Sequence, residues 1–149
     1  MRTRIHDHLN CRRGTAVVET ALVLPVVLML FFGIFEYGKF LSTQQVIEDA
    51  ARAGARYAVV NTSTVTAQQV QNFVTNKLST VGSWINPTVT VYQVDPATGN
   101  NLGTWTNATF GQSIAVQIKG TYTPQFASIL HMPVSLPVQT QAMMTSEAN

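Results

Sequence analysis

A chain of 149 residues has room for one membrane segment and one small domain, and only 11% of its residues are charged, against about 25% in ordinary soluble domains. The net charge of +2 belongs to the leader: residues 1–14 carry four arginines against Asp7, while the rest carries five cations against six acids. No basic domain is therefore present to follow a nucleic-acid backbone, and the single cysteine, Cys11, excludes an intrachain disulfide and a cysteine-based zinc site.

Residues 1–13 are short, polar and basic, with no periodicity that predicts an element. The pair of histidines in His6-Asp7-His8 reads as incidental rather than as a metal site, and no apolar region precedes Cys11 to make it a lipoprotein signal. From Thr15 to Phe35 the chain is almost wholly apolar, broken by Thr15, Glu19 and Thr20. At about 1.5 Å per residue that stretch spans roughly 30 Å, the thickness of a bilayer's hydrocarbon core. Arg2, Arg4, Arg12 and Arg13 precede it and a polar chain follows, which predicts a cytoplasmic N-terminus and a domain across the membrane. A secretory signal peptide fits less well, because the apolar run exceeds the usual core and no small-x-small site closely follows Phe35.

Arg13-Gly14 is followed by Thr15-Ala16-Val17-Val18-Glu19, with the glutamate fifth after the glycine. This resembles the type IV prepilin pattern, in which a membrane peptidase cuts after the glycine and methylates the new N-terminus. Together with Ala21-Leu22, Pro25, Gly33 and Glu36-Tyr37-Gly38, the segment from about Arg13 to Arg56 resembles the TadE-like family, minor pseudopilins of tight-adherence (Tad/Flp) pilus systems. Thr20 stands where the family commonly has an aromatic residue. The resemblance implies cleavage between Gly14 and Thr15 by a prepilin peptidase, other pilins or pseudopilins and pilus assembly proteins as partners, and a helix that assembles laterally through Glu19 and Pro25.

Physical chemistry adds to this at two positions. Glu19 lies only about 6 Å into the helix, where snorkelling and the positive helix N-terminus soften an insertion cost of about 2.5–3.5 kcal/mol. It reads either as a tolerated interfacial acid or as the partner of the Thr15 amino group of a neighbouring subunit, and its spacing from Gly14 favours the second. Pro25 removes one backbone hydrogen bond and is expected to kink the helix near Ala21, as a tolerated fault or as a packing device. Glu36 is expected to cap the span from outside, and Tyr37 fits an interfacial aromatic.

Beyond Gly38 the helix is expected to continue to about Asn61 as an amphipathic stalk with Phe40, Leu41, Gln44, Ile47, Ala51, Gly54 and Ala58 on one face. Glu48 and Arg52 form an i,i+4 pair. Thr66-Ala67-Gln68-Gln69 predicts a capping box opening a second helix to about Leu78, with Val70, Phe73, Val74 and Leu78 inward and Gly82 as its stop. Strands follow at Thr88–Val94, Gly111–Thr123 and Val134–Met144, the last irregular at Pro137, with a turn at 95–101 and a possible helical turn within 124–132. The expected fold is α+β: a long N-terminal transmembrane helix continuing into a stalk, a second short helix, and a small antiparallel sheet of about three strands. The expected divisions are a leader at 1–14, a span at 15–36, a stalk at 37–61 and an extracytoplasmic domain at 62–149.

No catalytic constellation emerges. His131 is the one histidine outside the leader, Asp95 and Glu147 are far apart, and no phosphate loop, nucleophile elbow or HExxH motif occurs. Neither enzyme activity nor a cofactor or metal is expected. Asn61-Thr62-Ser63 and Asn107-Ala108-Thr109 match a glycosylation pattern that arises often by chance. Trp84, Trp105 and Tyr122 read as core or sheet packing in preference to a binding patch. The sequence thus reads as a structural and assembly protein of the bacterial inner membrane, with a ligand-capturing domain on an uncleaved anchor as the alternative.

Overall fold

The computed structural model describes residues 8–62 and 64–146, with side chains from Gly14 onward except that of Asn107. Arg2, Arg4, the His6-Asp7-His8 side chains, the Cys11, Arg12 and Arg13 side chains, Ser63 of the first glycosylation pattern and Glu147 therefore lie outside what the structure describes.

Helix α1, His8–Val60, is a single 53-residue element that runs without interruption through Pro25. Its first turns extend into the leader, where no regular element was expected. An apolar segment with strong helical preference propagates helix into its flank, because each added residue gains a hydrogen bond without a new nucleation cost. From Gly14 to Phe31 every side chain is exposed. Burial begins near Phe32 and becomes regular at Glu36, Thr43, Ile47, Ala50, Ala51, Gly54, Ala55, Ala58 and Val59. Those positions advance by threes and fours, so one stripe of the helix is built into the domain. Leu41 and Gln44, expected on that stripe, are exposed, and Thr43 takes the inward place. Thr43 is buried without penalty because its Oγ1 donates to the Lys39 carbonyl at 2.8 Å.

Helix α2, Ala67–Lys77, opens with the expected capping box: Gln69 N donates to Thr66 Oγ1 and Thr66 N donates to Gln69 Oε1. Val70, Val74 and Leu78 are fully buried, and Phe73 stacks on Tyr57 of α1 with ring centroids 4.6 Å apart. Gly82 does not end the helical region. It begins α3, Gly82–Ile85, a single turn closed by Asn86 in the left-handed conformation, which asparagine tolerates.

The sheet has four antiparallel strands in the order β2-β1-β3-β4: β1 Thr88–Val94, β2 Asn101–Gly103, β3 Ser113–Tyr122 and β4 Leu136–Thr145. The extra strand, β2, is three residues long and fully exposed, too short and too polar to stand out from the turn before it. Val89 and Val91 of β1 join Ile114, Val116 and Ile118 of β3 on the face covered by α1 and α2, while Tyr92, Val94 and Ala115 pack on the other face. Pro137 does not disturb the register, since it pairs opposite Thr121 within an unbroken ladder. As the edge strand, β4 can point the missing amide away from β3. Between β3 and β4 lies α4, Ala127–Leu130, so the segment 124–132, which the sequence left open between an irregular path and a helical turn, contains the turn.

Trp105, in a 3-10 turn, and Tyr122 are buried in the core, and half-buried Trp84 carries the Lys39 ammonium 4.1 Å from its ring centroid. All three aromatics are thus engaged in packing. Arg52 bonds both Glu48 and Asp49 at 3.2 Å, an exposed pair of contacts that adds little to stability.

Candidate functional site

The point where α1 leaves the domain is built from one acidic side chain. Glu36 is 2% exposed, although it follows directly on the apolar run. On the helix it lies in line with Phe32 and Phe40, four residues to either side, so the stripe that enters the core begins with an aromatic, a carboxylate and an aromatic. Tyr122, at the end of β3, donates its hydroxyl to Glu36 Oε1 at 2.6 Å. The chain then turns: Thr123 N donates to the Trp84 carbonyl at 3.1 Å, and Pro124 can extend no ladder. That turn aims the amides of Gln125 and Phe126 at Glu36 Oε2, at 3.2 and 3.4 Å. The carboxylate therefore accepts three hydrogen bonds from one short segment, which satisfies a group that burial alone would destabilise.

Aromatic contacts close the junction on both sides. Phe126 stacks on Phe32 with centroids 4.6 Å apart and meets Phe35 edge-on at 6.1 Å, while Phe40 meets Tyr122 edge-on at 5.4 Å. Burial, the hydrogen bond to Glu36 and the nearby carboxylate all push the Tyr122 hydroxyl well above the ordinary tyrosine value of 10.0. Glu36 is thus a structural clasp facing the protein. The expectation that it caps the span from outside is corrected: the protein supplies three donors at that point, so the side chain turns inward.

The sequence-derived site residues lie elsewhere. Gly14, Thr15, Glu19 and Pro25 are all exposed along the first half of α1. Glu19 is seventeen residues from Glu36, about 25 Å along the helix axis, so the two carboxylates belong to separate regions. Nearby, Thr20 Oγ1 donates to the Ala16 carbonyl at 2.8 Å, which satisfies the hydroxyl within its own helix. Among the described residues, no three His, Cys, Asp or Glu side chains gather as a metal site.

Among the described residues α1 is the one helix long and apolar enough to cross a membrane, and its most apolar window is wholly unburied. Fold and junction together define an α+β protein whose N-terminal helix fits a membrane anchor while forming, further along, part of the domain's own core. Residues 14–56 match the family model described as TadE-like protein, so this segment of the chain is similar to that family. No curated protein and no solved structure matches the chain.

Proposed function

We propose that this protein is a minor pseudopilin, a structural and assembly component of a Tad/Flp-type pilus or related secretion apparatus. Its leader lies in the cytoplasm, residues 15–36 span the inner membrane, and the domain stands outside. A prepilin peptidase cuts between Gly14 and Thr15, and the matured helix packs side by side with those of other pilins. The observation carrying this reading is the division of α1. From Gly14 to Phe31 its side chains are exposed, whereas from Glu36 onward one stripe is locked into the domain. Such a helix presents a rigid apolar rod to lipid and neighbouring helices, and association there rests on close packing and on the few polar groups within it.

Glu19 is the charged member of those groups. In the proposed assembly its carboxylate pairs with the new amino terminus at Thr15 of an adjacent subunit. Removing a carboxylate makes insertion easier, so Glu19→Ala should still accumulate in the membrane. Breaking a desolvated pair costs about 3–5 kcal/mol, and less at a bilayer edge where water is near. Even ~2 kcal/mol is a roughly thirtyfold loss in a contact's equilibrium constant. Glu19→Ala should therefore crosslink poorly to pilus partners and fail to support piliation, and Val23→Glu in that background should not restore it. Normal piliation by Glu19→Ala would make the carboxylate a tolerated interfacial acid and remove its assembly role.

A further inference from the structure

The segment that holds Glu36 continues into an apolar loop, 126–134, that contains no Asp, Glu, Lys or Arg. Three of its outward side chains are large and apolar, Ile129 at 48%, Met132 at 39% and Val134 at 77% exposed, and they stand beside exposed Ser128 and His131, polar side chains that an interfacial layer can hydrate. On its inner side the loop lies against the end of the apolar run. Phe126 stacks on Phe32, and Leu130 Cδ2 lies 3.9 Å from where a β-carbon on Gly33 would stand. Gly33 precedes Glu36 by three residues, about 5 Å along the axis toward the membrane centre. A loop packed there cannot stay above the membrane surface if the run up to Phe35 is in hydrocarbon.

Part of the loop's backbone is already satisfied without water, which lowers the cost of entering an interfacial layer. Ile129 N and Leu130 N donate to the Phe126 carbonyl, and His131 N and Met132 N donate to the Ala127 carbonyl, so the helical turn at its centre satisfies four amides within the loop. Beside it, Trp84 lies under the Lys39 ammonium at the level of Phe35 and Gly38, an arrangement of aromatic ring and snorkelling cation suited to the headgroup layer.

We infer that the loop from Phe126 to Val134 is a second membrane contact, seating Ile129, Met132 and Val134 in the outer interfacial layer of the bilayer. Its occupant is lipid, and the contact fixes the height and rotation of the domain on the membrane. The inference rests on the proposal that residues 15–36 span the bilayer.

The test is site-directed spin labelling of the full chain, carrying Cys11→Ser, in lipid bilayers at a high lipid-to-protein ratio. Single labels at Ile129→Cys and Val134→Cys are compared with Leu28→Cys in the span and Leu102→Cys on β2, where Leu102 is 59% exposed. The measured quantity is nitroxide accessibility to oxygen, which partitions into lipid, against a water-soluble nickel chelate. The expected result is severalfold greater oxygen preference at 129 and 134 than at 102, in the direction of 28. Lipid character at 28 with aqueous character at 129 and 134 would overturn this inference while leaving the span intact. Aqueous character at 28 as well would overturn both. Protection at 134 that vanishes when labelled protein is diluted with lipid would assign the face to a second copy of the chain and overturn the lipid assignment.

Discussion

Replacing Gly54 with leucine should be among the most damaging single changes in the helix–domain interface. Gly54 is buried where α1 crosses α2 and β3, and a β-carbon there would collide with Val74 Cγ2 and come within 3.4 Å of Val116 Cγ1. Both neighbours are valines, stiff at χ1, and Val74 sits in a helix where one rotamer dominates. Overpacking of this kind costs about 1–3 kcal/mol, and leucine adds volume well beyond the β-carbon. Exchanging glycine for a better helix former returns up to about 1 kcal/mol, which does not cover the clash. A loss of ~2 kcal/mol corresponds to a melting temperature lower by roughly 8–16 °C for a domain of this size. Thermal unfolding of the detergent-extracted protein measures it; Gly54→Leu melting with the parent protein would show that α1 and α2 do not meet as described.

The second large effect is expected at the clasp. Glu36→Ala leaves the Tyr122 hydroxyl and the amides of Gln125 and Phe126 without their acceptor. A buried donor left unmade, as at Tyr122, costs about 1–3 kcal/mol, and the part-buried amides cost less because water can reach them. A loss of about 3 kcal/mol is expected, against about 1 kcal/mol for Tyr122→Phe, which leaves the carboxylate its two amides. The two substitutions should be strongly non-additive, since they remove opposite ends of one hydrogen bond.

The same bond gives a pH dependence with a definite sign. Tyr122 is held protonated in the folded protein beyond its ordinary value of 10.0. Below pH 10 this contribution is fully present. As pH rises past 10, the unfolded chain loses the Tyr122 proton before the folded one does, so the unfolded chain binds fewer protons and stability falls. Tyr122→Phe should remove this contribution and flatten the alkaline limb of unfolding; an unchanged limb would show that Tyr122 does not titrate within the clasp.

Much of this was legible along the chain, and for local reasons. The capping box at Thr66–Gln69 announced α2 because its reciprocal hydrogen bonds need only residues three apart. Alternation announced β1 and β3, whose apolar side chains divide between the two faces of the sheet. The small β2 was hidden because pairing to β1, not its own pattern, makes it a strand. Leu41 was misplaced because the periodicity was started from Phe40; starting it from Phe32 gives 32, 36, 40, 43, 47, the line that is buried. That line also carried the one available hint to the clasp, a glutamate set between two phenylalanines on an apolar stripe. Its partners, Tyr122 and the amides at 125 and 126, lie more than eighty residues away and no local pattern names them.

The N-terminal half poses a different question, because the proposed maturation acts there after insertion. Helix α1 runs unbroken through Gly14 and Thr15, so the proposed cleavage requires that turn to unwind before a peptidase can reach the peptide bond. Glycine at this place eases the unwinding, being about 1 kcal/mol less favourable in a helix than alanine. Intact-mass measurement of the protein extracted from membranes of cells with an active prepilin peptidase tests the proposed maturation most directly. The account predicts a mature chain beginning at Thr15, with or without an N-terminal methyl group, and retention of the full-length form in Gly14→Arg. Recovery of full-length chain alone from cells carrying the unaltered protein would contradict it and leave the domain on an uncleaved anchor.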